Sequence, residues 1–242
     1  MRKLVIFNWK MNPPTRTAAV RLARNIRRLR NTRRNVFVAP PAVYLSLLAP
    51  LQRGALAAQN VAAENKGAFT GEISAPMLKS VGVRYCIVGH SERRYLFGES
   101  DALIARKISA LGSVGITPVL CVGERKRSSF MSARQAVIQQ LQKSLAGAGL
   151  KKQLVVAYEP VWAIGGGKKT NVGHARRVIA AIRRWLSENG WLKAAVLYGG
   201  SVSAKNVSAF ARESGADGFL VGSASLRLPD VKRIVKAALE GG

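Results

Sequence analysis

The distribution of apolar residues along the chain predicts about eight repeats of a strand followed by a helix. Short apolar runs alternate with segments in which apolar residues recur at helical spacing, with roughly 30 residues in each repeat. Propensity supports the third strand least, because it is short and rich in alanine. The predicted strands are Leu4–Asn8, Val36–Ala39, Leu56–Gln59, Tyr85–Val88, Thr117–Val122, Leu154–Tyr158, Ala194–Tyr198 and Gly218–Val221.

Several of these strands are apolar at successive positions, which is typical of a parallel sheet covered on both faces. Helices that pack on such a sheet need one apolar stripe each. Three stripes are clear, and each predicts a helix lying against the sheet. They consist of Ala19, Leu22, Ala23, Ile26 and Leu29, of Val178, Ala181, Ile182, Trp185 and Leu186, and of Val231, Ile234, Val235, Ala238 and Leu239.

Eight alternating units can form a closed barrel or an open doubly wound sheet. The length of 242 residues at 48% hydrophobic content suits one large domain over 1–242, and no low-complexity linker divides the chain. Polar residues follow several strands, as in an eightfold β/α barrel, whereas an open sheet would concentrate them at one switch point. We therefore predict a single α/β domain with an eightfold β/α barrel of parallel strands.

Charge adds a second feature, since the formal net charge is +27. The Arg and Lys residues cluster mainly where helix exteriors are predicted, so most would be solvated. Such a surface attracts small anions, including phosphate esters, and polyanions nonspecifically. Because no stacking-aromatic or zinc-finger motif accompanies it, dedicated nucleic-acid binding is not favoured.

The rare residue types argue against disulfide and metal chemistry. Cys86 and Cys121 lie in apolar segments, which predicts buried reduced thiols. The only histidines are His90 and His174, so we expect no metal site.

The N-terminus has no signal-peptide layout, and no apolar run is long enough to span a bilayer. We expect a cytoplasmic protein that does not bind membranes.

The most informative string runs from Tyr158 to Lys168. Glu159 stands at the carboxyl tip of a predicted buried strand, where a carboxylate requires a partner or a chemical role. Pro160 directs the chain out of the strand, and the glycines at 165–167 permit backbone angles that other residues resist. This pattern indicates a stiff exit followed by a mobile flap.

Other strand ends carry chemistry too. Lys10 places a cation after the first strand, and His90 follows the fourth strand and opens a predicted helical turn, whose N–H groups favour the neutral imidazole. Glycine-containing loops at Gly165, Ser201 and Gly222–Ser223 could hold a phosphate dianion through backbone N–H groups.

Taken in order, these strings closely resemble the motifs of the triosephosphate isomerase family over essentially the full chain. The resemblance implies an aldose–ketose isomerase that interconverts two triose phosphates through an enediolate and needs no cofactor. It implies that Glu159 is the base, and that His90 acts as the neutral electrophile known in this family. It also makes Lys10 the substrate-binding cation, positioned by Asn8 and oriented by Glu92. The implied phosphate ligands are Gly165, Ser201, Gly222 and Ser223.

The resemblance further implies a homodimer in which the loop Asn65–Glu72 inserts into a neighbouring subunit; a solvated loop is the alternative. The chain departs from the family at Gly166, where Thr is usual, at Ser223, where a second Gly is usual, and in lacking a Pro-Glu pair before the next helix. Two other functions stay open: another phosphate-binding barrel isomerase, or a basic nucleic-acid-binding protein on an inactive barrel.

Overall fold

The computed structural model describes residues 3–29, 35–52, 54–148, 153–164 and 171–240, with the backbone alone at 239 and 240. Eight parallel strands form a closed barrel in chain order, and the last strand pairs with the first. They are β1 (Leu4–Asn8), β2 (Val36–Ala39), β3 (Leu56–Ala58), β4 (Val83–Val88), β5 (Thr117–Val122), β6 (Val155–Tyr158), β7 (Ala195–Tyr198) and β8 (Gly218–Val221). The predicted barrel is confirmed.

Nine α-helices lie within the described residues and surround the barrel. They are α1 (Arg16–Leu29), α2 (Leu45–Gln52), α3 (Ala75–Ser80), α4 (Ser91–Leu96), α5 (Asp101–Ser113), α6 (Phe130–Leu145), α7 (Val172–Glu188), α8 (Val207–Glu213) and α9 (Leu228–Glu240). The three predicted stripes face the barrel: Ala19, Ala23 and Ile26 in α1, for example, are buried. The side chain of Leu239 lies outside the described residues.

Two apolar layers hold the barrel together. An inner cluster, which includes Ile6, Ile87 and Leu197, fills the barrel interior. The larger outer cluster lies between the strands and the helices and takes the alternate strand positions, such as Val5 and Phe7. Both strand faces are therefore buried, which explains why the strands are apolar at successive residues.

Strand boundaries differ from the predicted ones by a residue or two at four places. The fourth strand begins at Val83 because Val83 pairs with Leu56 of β3, and the third ends at Ala58.

The alanines of β3 have a packing role. The rings of Phe37 and Tyr85, on the two strands that flank β3, meet edge to face with centroids 4.6 Å apart, and small β3 side chains leave room for them.

No helix in the described ranges combines the length and the apolar character needed to cross a bilayer.

Candidate active site

The alternation of side chains along the strands places four polar or small residues at one mouth of the barrel. Successive strand residues point to opposite faces, so a residue two beyond an inner residue points inward as well. The inner residues Ile6, Ala57, Ala157 and Leu220 come near the carboxyl ends of β1, β3, β6 and β8. The positions two residues further on are Asn8, Gln59, Glu159 and Gly222.

Glu159 is held at this mouth with only 2% of its surface exposed. Its backbone N–H donates to the Val122 carbonyl at 2.8 Å, which extends the β5–β6 pairing by one residue. One carboxylate oxygen accepts the N–H of Ser91 at 3.1 Å, and the other lies 3.3 Å from Nε2 of His90. The buried carboxylate is thus hydrogen-bonded by the Ser91 N–H and lies beside the imidazole of His90.

Two glycines make room for Glu159. A Cβ on Gly123 would lie 1.7 Å from the Glu159 carbonyl oxygen, and a Cβ on Gly199 would lie 2.9 Å from its Cγ. Gln140 fixes Gly123 from the helix side, accepting its N–H at 2.8 Å and donating to its C=O at 3.1 Å. Sequence reasoning missed Gly123 and Gln140, although a glycine directly after the fifth strand was a signal for close backbone approach.

His90 is the N-cap residue of α4, as its predicted place before a helical turn requires. Its Nδ1 accepts the backbone N–H of Glu92 at 3.3 Å, which fixes the orientation of the ring. Nε2 points to Glu159. The start of α4 therefore fixes the ring so that its Nε2 lies beside the carboxylate at the barrel mouth.

Lys10 adopts a left-handed backbone conformation, with φ of 53°, that surrounding groups maintain. Its N–H donates to Oδ1 of Asn8 at 3.0 Å, and its C=O accepts Nε2 of Gln59 at 2.8 Å. The ammonium group forms an ion pair with Glu92. Asn8 and Glu92 therefore both contact Lys10, whereas sequence reasoning did not identify Gln59, which it placed within a strand.

The three predicted phosphate loops are described only in part. Gly222 lies beside Lys10, because a Cβ there would be 3.4 Å from the Lys10 Cε, and Ser223 begins a 3₁₀ turn, Ser223–Leu226. The carbonyl of Ser201 accepts Nδ2 of Asn206 at 2.7 Å, so Asn206, which sequence reasoning missed, shapes the loop after β7. Gly165 and Gly166 lie outside the described residues.

A second buried carboxylate, Glu124, supports the segment after β6. One of its oxygens accepts Nε1 of Trp162 at 2.7 Å and the hydroxyl of Tyr158 at 3.1 Å. Burial, and next the negative charge of Glu124, raise the pKa of the Tyr158 phenol above its ordinary value. Glu124 is a further residue that sequence reasoning missed, although it lies two residues after the end of β5.

Ion pairs surround the site. Arg93 and Lys107 both pair with the buried Glu99, whereas Arg94 pairs with Asp101 at 2.6 Å. These pairs tie the segment that follows His90 to α5, which contributes Asp101 and Lys107.

The two thiols are buried and free. Burial, and then the charge of Glu159, raise the pKa of the Cys121 thiol well above its ordinary value. Burial likewise raises the pKa of Cys86. Both thiols are buried, as the apolar segments around them predict.

Comparisons with known proteins show the family of the chain. The family described as Triosephosphate isomerase matches residues 3–238. The chain is 44% identical over 247 residues to the triosephosphate isomerase of Thiobacillus denitrificans, covering 98% of each chain. It is 41% identical to that of Synechococcus sp. (strain JA-2-3B'a(2-13)), covering 96% of this chain and 95% of the relative, and 40% identical to that of Aquifex aeolicus, covering 97% and 99%. The chain belongs to the triosephosphate isomerase family.

Proposed function

We propose that the chain interconverts dihydroxyacetone phosphate and D-glyceraldehyde 3-phosphate, with Glu159, His90 and Lys10 as its catalytic residues. The main support for these roles is the distance of 3.3 Å between the buried carboxylate of Glu159 and Nε2 of His90, at the mouth where Lys10 also lies. A coupled assay with each triose phosphate as substrate tests the proposal directly. Absence of turnover in both directions would contradict it.

In the proposed mechanism Glu159 moves one proton. Its carboxylate removes a proton from the carbon next to the substrate carbonyl, and the electron pair of the broken C–H bond forms the enediolate C=C bond. The electrons of the carbonyl π bond move to oxygen, where the Nε2–H of His90 and the ammonium of Lys10 stabilise the negative charge. Glu159 then returns its proton to the former carbonyl carbon, while the hydroxyl proton on the first carbon moves to the former carbonyl oxygen and the first carbon forms the new C=O bond.

The phosphate would be held by backbone N–H groups of the loops at Gly165, Ser201, Gly222 and Ser223. Glu92 would orient the Lys10 ammonium for the substrate, and Asn8 would keep the Lys10 backbone in place.

Another phosphate-binding barrel isomerase could share the phosphate loops. It would have no need for this base, imidazole and ammonium at one mouth, so the triose phosphate reaction is favoured.

We also propose that the protein works in the cytoplasm. Support comes from Cys86 and Cys121, which are buried and unpaired as expected for a reducing compartment. Measuring where a tagged chain resides in its own cells tests this location.

A homodimer formed through the loop Asn65–Glu72 is part of the same proposal. All eight residues of this loop are exposed. Nearby, a cleft of about 450 Å³ borders Lys10, His90 and Glu92 and extends to the exposed side chains of Met11 and Phe97. Such a cleft could receive the loop of a second copy, which would bury these apolar side chains.

If that loop docks into a neighbour, Thr70→Glu should lower apparent mass in solution and turnover together, because a charge would be buried at the contact. Light scattering and activity across a dilution series measure both. The matched control is Ser187→Glu, which adds the same charge on the exposed surface of α7. A fully active monomer at assay concentration would contradict the dimer and leave the barrel assignment intact.

The net charge of +27 leads to a kinetic prediction. A cationic surface raises the encounter rate with a dianionic substrate, so kcat/KM should fall as ionic strength rises while kcat changes less. Sulfate and phosphate compete for the site, so the series should use a monovalent salt. A flat response in that series would exclude steering.

A further inference from the structure

The basic residues are distributed unevenly along the chain. The first 63 residues contain twelve Arg and Lys and no Asp or Glu. Helix α1 alone carries five arginines and no lysine: Arg16, Arg21, Arg24, Arg27 and Arg28. None of these five forms an ion pair with any residue that the structure describes. This helix therefore presents charge that the described part of the fold does not neutralise.

Three of these arginines form a row along a groove. Arg21, Arg24 and Arg28 are exposed and follow the helical spacing that puts residues on one face. They line a groove of about 810 Å³ between α1 and α2, which contributes Leu47, Pro50 and Leu51. At 1.5 Å per residue the row extends about 10.5 Å along the helix axis. We call this surface, formed by Arg21, Arg24, Arg28 and the three α2 residues, the arginine groove.

We propose that the arginine groove binds the phosphodiester backbone of nucleic acid without reading its sequence. The length of the row corresponds to about three nucleotide steps of one strand, at about 3.4 Å of helix axis per step. Guanidinium groups bind phosphate through paired N–H donors, and α1 uses arginine at every basic position. The apolar residues of α2 provide no donors that could distinguish base edges.

The groove is separate from the candidate active site. It lies on the outer surface, between two helices that pack against the barrel, whereas Glu159, His90 and Lys10 gather at the mouth of the barrel interior. A triose phosphate carries one phosphate and could engage only part of the row. The proposal therefore goes beyond the isomerase reaction and does not depend on it.

The side chains around the groove favour nucleic acid over a lipid surface. A helix that lies on a membrane inserts large apolar side chains beside its basic ones. In α1 the apolar residues Ala19, Ala23 and Ile26 are buried against the barrel. No large hydrophobic side chain that the structure describes is markedly exposed on α1 or α2.

The test compares two variants that remove the same charge. The groove variant is R21Q/R24Q/R28Q, and the control is R176Q/R212Q/R233Q, which alters three exposed arginines on α7, α8 and α9 that have no ion pair among the described residues. Fluorescence anisotropy measures binding of a single-stranded DNA of about 20 nucleotides, in two unrelated sequences, over a series of salt concentrations.

We expect the full chain to bind both sequences equally at low salt. The groove variant should lose at least about tenfold in affinity, and its slope of log Kd against log salt should shrink by about 2, as expected for three lost contacts to single-stranded phosphate. The control variant should lose less than about threefold, and both variants should keep the parental kcat and thermal midpoint. Equal losses in the two variants would overturn the proposal, as would failure of the parent to bind. Selective loss of binding to anionic lipid vesicles or polyglutamate, with DNA binding unchanged, would also overturn it.

Discussion

Replacing Glu159 with Asp is expected to lower kcat by on the order of 10²-fold, because a misplacement of about 1 Å is enough for such a loss. The charge remains, but the carboxylate is drawn back by one methylene from the substrate carbon. Its present contacts to the Ser91 N–H, at 3.1 Å, and to His90 would also change. Binding through Lys10 and the phosphate loops should suffer less, so KM should change little.

The measurements that decide this prediction are kcat, KM, the thermal midpoint and exchange of solvent hydrogen into the substrate. A purely structural Glu159 would give the opposite pattern, with a lower thermal midpoint and near-normal turnover. Turnover and exchange within a few-fold of the parent would therefore remove Glu159 as the base, together with the mechanism built on it.

Replacing Gly123 with Ala is expected to have an effect of similar size, although residue 123 has no chemical role. The new Cβ would lie 1.7 Å from the Glu159 carbonyl oxygen, so the backbone at residue 159 has to move by more than an atomic radius. The side-chain amide of Gln140 bonds both the N–H and the C=O of Gly123, so the backbone at residue 123 cannot move away easily. We expect a loss in kcat of at least about 10²-fold and a lower thermal midpoint.

Two further variants separate displacement of Glu159 from general damage. G199A introduces a milder conflict, 2.9 Å from the Glu159 Cγ, and should lower kcat by an intermediate factor with less effect on folding. G190A strains a left-handed position with no atom within 4 Å of its new Cβ, and should lower the thermal midpoint while leaving kcat unchanged. If G123A or G199A folded and kept the parental kcat, the space beside Glu159 would tolerate a side chain. The conclusion that these glycines make room for Glu159 would then be wrong.

The sequence by itself determined the barrel and most of the residues at its mouth. Apolar runs of four to six residues are local signals, and β1, β2, β5 and β8 have the predicted bounds. The motifs containing Lys10, His90 and Glu159 stand at strand ends, and parallel strands in a closed barrel bring such ends to one edge. Local periodicity therefore placed these residues at strand ends, and the resemblance to the triosephosphate isomerase family implied their roles before any contact was known.

Only the tertiary structure decided how these residues are supported. Gly123 approaches Glu159 across 36 positions of sequence, Gln59 reaches Lys10 across 49, and Asp101 rather than Glu99 pairs with Arg94. The orientation of the His90 ring depends on the start of α4 and on the direction in which Glu159 enters from another strand. Contacts of this kind depend on the distance and orientation of side chains brought together by closure of the barrel, and a periodic pattern along one segment contains no information about either.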